Sequence, residues 1–558
     1  MTVNEVFTVR YSGGSSGSGA LTLGQDNMIR CILAPDSSHM NKQAVWPVPA
    51  GADLPAVLNA LRTLAERHES LRTVFPGPPD DQPTHQLVQD EGEFTVTVVE
   101  AAEDADAEAV ATELGRLGRA DRFELATEFA LRLTVVTQGG RPAWLLLVVC
   151  HAHLDGSATG LLFGEWMALA AGRTLPPHTG RTPLQVAESE TSKVGRRKAK
   201  AALRHWERIL RTSPQAVFAD DRVELSDKLL PTLVVGSVAA AQALERAGQR
   251  TGTSASTVLL AAYSALVGHR AAQPEVVIAA LSANRHRPGF ADHIGTIAQD
   301  ALLSLDVEAA DFDELVGRTK AAALGGYWHS TLDADQIWRM IDDTAHLRGA
   351  RFGRQVVLND LSLSVPDAAA DSQPEPSADP ELTWLPKEIL PARLMLNIWK
   401  TRGSLVLTLH ADPLLFTAAE TEQFAQALLR LITLAADGPV PLDDLTALTG
   451  IVPGTRERGE WHQVDHSWIE LTAVRHLLAI ALDKRPVELS VQDGRLTARI
   501  AEDGRPLTPV EAHAAVIATL PGHDLAMAPH HYVVHDGPHV LAEGSGRGEV
   551  TDWQVLLG

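Results

Sequence analysis

The stretch Val148-Val149-Cys150-His151-Ala152-His153-Leu154-Asp155-Gly156 concentrates the residue types that do chemistry. An apolar run ends, a histidine follows at its C-terminal end, an aspartate comes four residues later, and a glycine precedes a helical pattern. An imidazole held there can present one nitrogen to a substrate, as a base or as a hydrogen-bond acceptor. Asp155 can hold the turn that orients His151, and Gly156 lets the chain bend tightly. The same spacing also suits a structural histidine that closes a strand. His151 and His153 could share a strand face as metal ligands, but no third ligand follows at a usable spacing, so no metal site is expected. Cys150, at the end of an apolar strand, reads as a buried, inert thiol.

The elements that must position this turn are legible from periodicity. Residues 131–136 and 144–150 are apolar strands joined at Gly139-Gly140 as a hairpin, and a helix over 157–171 follows. Upstream, the pattern predicts a strand over 1–10, a Gly/Ser loop over 11–19, helices over 24–34 and 53–69, strands at 87–88 and 94–99, and a helix over 105–119. Residues 183–213 carry the basic run Arg196-Arg197-Lys198-Ala199-Lys200, which reads as a solvated helix face. From Thr232 the pattern begins again. Strands at 232–238, 275–282, 300–306, 354–363, 393–398 and 403–410 are set among helices at 239–250, 254–270, 311–324, 334–344 and 417–436. Two successive α+β halves suggest a duplicated fold, without a repeat in the residues themselves. Residues 365–382 are acidic and Pro-rich, as a mobile surface loop would be.

Composition sets the frame. The chain has 558 residues, 45% hydrophobic and 21% charged, which suits a soluble multi-lobed globular protein with several cores. Against 48 Lys and Arg stand 70 Asp and Glu, a net charge of −22 that disfavours nucleic acid and anionic membrane surfaces. Two cysteines, Cys31 and Cys150, exclude a disulfide framework and a thiolate zinc site. The N-terminus shows no secretory pattern, and the longest apolar runs fall far short of the ~20 residues a membrane helix needs, so a cytoplasmic location is expected. Richness in Ala, Gly, Arg and Val suggests a bacterial source. No phosphate-cradling P-loop and no dinucleotide fingerprint occur.

Arg67-His68-Glu69-Ser70-Leu71-Arg72-Thr73-Val74-Phe75 lies about 80 residues before His151. With the Cys150–Gly156 turn it resembles the RHExLRTxF and HHxxxDG motifs of nonribosomal peptide synthetase condensation domains. Leu21-Thr22-Leu23-Gly24-Gln25 is similar to the family's S/T-x-x-Q helix start. The run from His293 through Ile294-Gly295 to Gln299-Asp300-Ala301-Leu302 is similar to its IGxFxNTL motif. The likeness spans residues 15–445. It implies an α+β fold of two chloramphenicol-acetyltransferase-like lobes in a V with a central tunnel, entered from opposite faces by carrier-protein phosphopantetheine arms. It also implies that His151 faces the reaction centre, that Asp155 is structural and ion-paired to Arg285 of the opposite lobe, and that Gly156 keeps the donor approach open. Gln299, Trp328 and His153 would line the tunnel. There are two departures. Cys150 replaces the first histidine of HHxxxDG, a packing change, and Gln299-Asp300 stands where Asn-Thr is usual, which bears on the tunnel lining and so on the substrate. Cys150 also occupies the position where heterocyclising relatives carry an aspartate, so ring formation is not expected.

The domain boundaries read as an N-terminal condensation lobe at 1–180, a C-terminal condensation lobe at 181–445 with a crossover at 181–215, a linker at 446–466, and a small α/β domain at 467–558. The last weakly resembles the C-terminal subdomain of adenylation enzymes, with Gly544-Ser545-Gly546-Arg547 where that family ends on a glycine–lysine pair. The catalytic lysine is absent, so this would be a remnant that recognises a carrier protein or braces the lobes. The expected activity is that of a free-standing condensation enzyme of natural-product biosynthesis. It would transfer an aminoacyl, peptidyl or acyl group from a carrier-protein thioester to a small-molecule amine or alcohol. The chain would bind no cofactor itself, the phosphopantetheine arriving on the acyl or peptidyl carrier protein. A coenzyme A-dependent acyltransferase and a non-catalytic platform that recruits carrier proteins are the alternatives.

Overall fold

A computed structural model describes residues 2–35, 37–222, 229–362 and 380–547. Nearly all of the acidic stretch at 365–382 lies outside the described residues. The fold divides into two compact units. The first gathers residues up to Ala199 together with Ser282–Gln299 and Leu361; the second gathers Lys200–Leu281, Asp300–Asp360 and the described residues from 380 onward.

The first unit runs β1 (Thr2–Ser12), β2 (Gly17–Ala20), α1 (Leu23–Leu33), β3 (Asn41–Pro47), α2 (Leu54–Arg67), β4 (Thr73–Val74), β5 (His85–Val88), β6 (Glu91–Ala101), α3 (Ala107–Gly118), β7 (Leu131–Gln138), β8 (Arg141–Cys150), α4 (Gly156–Ala170), α5 (Pro183–Thr191) and the start of α6 (Lys193–Thr212). Five strands pair in the order β1-β6-β7-β8-β3, and β2-β5-β4 form a small second sheet. β8 is an interior strand covered on both faces, which is why its sequence is continuously apolar rather than alternating. Leu145, Leu147 and Val149 enter the main core with residues of α2 and α4, while Val148 and Cys150 join a second core with Ile29 and Ile32 of α1. α2 buries Val57, Ala60, Leu61 and Leu64 at helical spacing, and Asp53 caps it by accepting the Ala56 N–H at 2.9 Å. Gly139 and Gly140 both take positive φ, 58° and 73°, so the expected hairpin turn forms where only glycine is unstrained.

The segment after β10 (Glu275–Ser282) belongs to the first unit although it follows the start of the second in sequence. Ile294 joins the main core there, and Phe290 and Ile297 pack with Val186. Arg285, expected in the opposite lobe, is therefore part of the same unit as Asp155.

The second unit comprises β9 (Leu229–Ser237), α7 (Val238–Thr251), α8 (Ala255–Ala271), β10, β11 (Gln299–Asp306), α9 (Phe312–Trp328), α10 (Ala334–Arg348), β12 (Val356–Asp360), β13 (Glu381–Ile389), β14 (Leu394–Lys400), β15 (Leu405–Ala411) and α11 (Ala418–Asp437). Its seven strands run β11-β10-β12-β14-β15-β9-β13. α8 is buried on nearly every side from Val258 to Ala271, so it is apolar all round. β13 is an edge strand paired with β9 and has no counterpart in the sequence reading. Pro386 interrupts its ladder, a residue that only an edge or a bulge tolerates.

The rest of the chain adds a short helix α12 (Leu445–Thr449), the hairpin β16 (Trp461–Val464) and β17 (Ser467–Glu470), α13 (Leu471–Ala481), β18 (Val487–Gln492), β19 (Arg495–Ala501), α14 (Pro509–Thr519), β20 (His531–Asp536) and β21 (His539–Gly544). The sheet β18-β19-β20-β21 and the two helices α13 and α14 enclose a core of their own. This C-terminal module is nonetheless fastened within the second unit. Arg348 pairs with Asp465 at 2.7 Å and donates to the Leu210 and Ser213 carbonyls, Gln355 donates to Asp524 at 2.7 Å, and the Ala528 N–H reaches the Gly349 carbonyl at 2.7 Å.

Candidate active site

β8 delivers His151 at the end of an interior strand, and Asp155 starts α4. Asp155 is its N-cap: Oδ1 accepts the Ala158 N–H at 2.9 Å. The rest of the carboxylate is saturated. Arg285 donates to Oδ2 at 2.9 Å and closes the fork at Oδ1 at 2.9 Å, and the Ile297 and Ala298 amides donate to Oδ2 at 3.0 and 3.1 Å. Burial pushes this carboxyl up, but Arg285 and the amides outweigh it and hold the group below its ordinary value. Asp155 is thus an ionised structural hub with no capacity left for substrate. Gly156 is the first residue of α4, and a Cβ there would meet only the flexible end of Leu361, at 3.1 Å.

The hub leaves His151 one free atom. Nδ1 lies 3.1 Å from the Leu154 carbonyl, which can only accept, so Nδ1 carries the proton. Nε2 therefore holds a lone pair, has no partner among the described residues, and belongs to a ring that is only half-buried. Burial lowers the imidazole to about 4, helped by the Lys42 ammonium and opposed by Asp155. The ring is neutral at any physiological pH, ready to accept a hydrogen bond. Lys42 is a site residue that the sequence did not reveal. It pairs with Val149 across β3 and β8, and its ammonium, which donates to the His39 carbonyl at 2.8 Å, is near enough to act on the His151 ring. The only trace in the sequence is one lysine in an edge strand that was itself missed.

His153 does not line an open passage, contrary to expectation. It is 2% exposed, its Nε2 meets the Thr73 carbonyl at 2.9 Å, and its ring packs on Phe75 at 4.9 Å between centroids. Strand-like alternation would have put it beside His151, but the chain turns after Cys150 and sends it into the core. Gln299 is also buried, its amide donating to the Leu23 carbonyl at 3.2 Å, so it ties down the start of α1 rather than walling a channel. Trp328 is 74% exposed at the end of α9, not enclosed. Cys150 is fully buried, and burial pushes its thiol up to about 12. The remaining motifs are a frame. Arg67 donates to both Glu165 oxygens at 3.1 and 3.0 Å and His68 meets the same carboxylate at 2.6 Å, while Ser70 donates to the Ile294 carbonyl. Thr22 and Gln25 form the capping box of α1 that the sequence predicts. Asp300 pairs with Arg354 at 2.6 and 2.9 Å.

Comparison with known proteins identifies the family and the fold. The family described as "Condensation domain" matches residues 27–449, ending before the C-terminal module. The chain is 24% identical to tyrocidine synthase 3 of Brevibacillus parabrevis over 71% of its own length and 6% of that protein. It is 24% identical to phosphinothricin tripeptide synthetase PhsC of Streptomyces viridochromogenes over 63% of its own length and 34% of that protein. The chain thus spans a small part of these curated relatives. Among solved structures, the condensation domain of the monacolin K polyketide synthase MokA superposes with a TM-score of 0.62 at 17% identity, covering 76% of this chain and 99% of that one. The X-domain from teicoplanin biosynthesis superposes with a TM-score of 0.59 at 20% identity, covering 76% and 96%. These superpositions establish the mixed α+β, chloramphenicol-acetyltransferase-like fold. Among the described residues no helix is long and apolar enough to cross a membrane. The chain belongs to the condensation-domain family, a family of acyl and peptidyl transferases.

Proposed function

We propose that this chain transfers an aminoacyl, peptidyl or acyl group from a carrier-protein thioester to an amine, forming an amide. The observation that supports the reading most directly is the Nε2 of a neutral, half-buried His151, which has no partner among the described residues and sits on a turn whose aspartate is saturated. The amine nitrogen attacks the thioester carbonyl carbon, a tetrahedral intermediate forms, and the C–S bond breaks. The proton lost by the amine ends on the departing pantetheine thiol. A histidine with a pKa of about 4 is a weak proton store, so His151 acts chiefly by accepting the amine N–H and aiming the nitrogen lone pair. A weakly acidic alcohol would need a stronger base, which favours an amine acceptor. Lys42, whose ammonium acts on the same ring, supplies positive charge near the carbonyl oxygen as it becomes anionic. The C-terminal module serves as a brace of the second unit, supported by Arg547, which donates to the Leu347 and Pro529 carbonyls where a catalytic lysine is expected.

The test is an intact-mass assay with acyl-loaded carrier protein and a panel of amines. Transfer that disappears in His151→Ala supports the reading. Transfer from coenzyme A thioester without any carrier, or carrier binding without turnover, overturns it in favour of one of the alternatives.

A further inference from the structure

The loop that carries Arg285 to Asp155 also carries a cationic corner that the transfer chemistry does not use. Phe290 is buried with Val186 and Ile297, and two guanidiniums lie over its ring, that of Arg287 at 4.0 Å and that of Arg181 at 5.3 Å from the centroid. Both backbones are pinned. The Arg181 N–H donates to the Gly289 carbonyl at 3.2 Å, its carbonyl lies 2.6 Å from His293 Nδ1, and the Arg287 carbonyl accepts the Phe290 N–H at 3.1 Å. Neither guanidinium has an ion pair or a hydrogen bond among the described residues, and the Nε of Arg287 is buried without a partner. In a protein of net charge −22, two adjacent arginines without a carboxylate partner among the described residues are conspicuous.

More positive charge converges on the same place. Lys198 of α6 and Arg287 both act on the exposed His286. The acids nearby compensate little. Glu190 faces Arg287, but its carboxyl accepts the Leu23 N–H at 2.8 Å and burial raises it to about 7, so it carries only part of a charge. Asp292 accepts the Thr179 hydroxyl at 3.3 Å.

We propose that Arg181 and Arg287, with Lys198 and His286 at the rim, form a phosphate-ester site. A guanidinium that stacks on an aromatic face leaves its in-plane N–H groups available to grip phosphate oxygens in pairs. The site deepens the proposed function and rests on it for its ligand's identity. A carrier-borne pantetheine arm brings one phosphodiester, whereas coenzyme A brings a diphosphate and a 3′-phosphate; both offer the shared chemistry.

Direct binding to the full chain tests this without turnover, so its failure is distinguishable from failure of the transfer reading. Calorimetric titration compares 4′-phosphopantetheine, pantetheine and adenosine 3′,5′-bisphosphate. Phosphopantetheine should bind about tenfold more tightly than pantetheine. Arg287→Gln and Arg181→Gln should each remove most of that difference without changing pantetheine affinity, and Arg287→Lys should restore part of it. Displacement of phosphopantetheine by the bisphosphate would identify coenzyme A as the phosphate source, and absence of displacement the carrier arm; either supports the site. Equal binding of phosphopantetheine and pantetheine, or a difference that survives both glutamine variants, overturns it.

Discussion

The turn after β8 and the docking face of the C-terminal module each hold a neutral histidine, His151 and His513, and the two differ in one ring nitrogen. His513 commits both ring nitrogens: Nε2 donates to the His346 carbonyl at 2.8 Å, and Nδ1 accepts from the Tyr532 hydroxyl at 3.1 Å. His151 commits only Nδ1. Both rings are held neutral, near 4, by burial first of all. Neutrality and burial therefore do not mark a reactive histidine here. The mark is an acceptor left over, and open, after the surroundings have been satisfied.

The largest test of this contrast is activity. His151→Ala should lower transfer by ~10²-fold in the mass assay with little change in melting temperature, whereas His513→Ala should leave the rate per folded molecule unchanged. Loss of transfer in a fully folded His513→Ala protein would break the comparison. Next comes the hub. Arg285→Ala leaves the Asp155 carboxylate buried without its cation, and denaturant titration should show a loss of ~3–5 kcal/mol.

Acid should weaken both regions. A histidine held near 4 when folded but near 6.5 when unfolded binds more protons unfolded between those values, so stability present above about pH 6.5 drains away as pH falls towards 4. For the buried His153 the loss is at most ~3 kcal/mol, and His153→Phe should flatten the stability profile over that window. His513→Phe should remove ~2 kcal/mol at neutral pH by orphaning its two partners, read by calorimetry. The smallest effect is chemical. Cys150 should stay unlabelled by thiol reagents at pH 8 in the native protein, Cys31 alone reacting.

Much of the first unit was legible because its signals are local. The capping box at Thr22 and Gln25, the apolar hairpin around Gly139-Gly140 and the helix starting at Gly156 each depend on neighbours in sequence. His151 and Asp155 showed in the residue types at a strand's end, Arg285 came from motif resemblance, and the structure brings Asp155 and Arg285 together at 2.9 Å. What escaped was set by distant partners. β3 pairs with β8 across about 100 residues and shows no clean alternation, and β13 is an exposed edge broken by Pro386, so neither has a periodic face. His153 escaped because a strand period was extended one step past the strand's end. The C-terminal module showed as a small α/β domain from residue 467, but the first strand of its hairpin, Trp461–Val464, lies in residues that read as linker.

Asp155 draws its cation and two of its three amide donors from Arg285, Ile297 and Ala298. On the ribosome, a nascent chain that has released residues 1–199 carries the carboxylate but none of those donors. At an elongation rate of ~5–20 residues per second the missing hundred residues take roughly 5–20 s to emerge. During that interval the turn bearing His151 is unfinished, so translation order delays the assembly of the candidate catalytic turn until well after most of its own unit has been made.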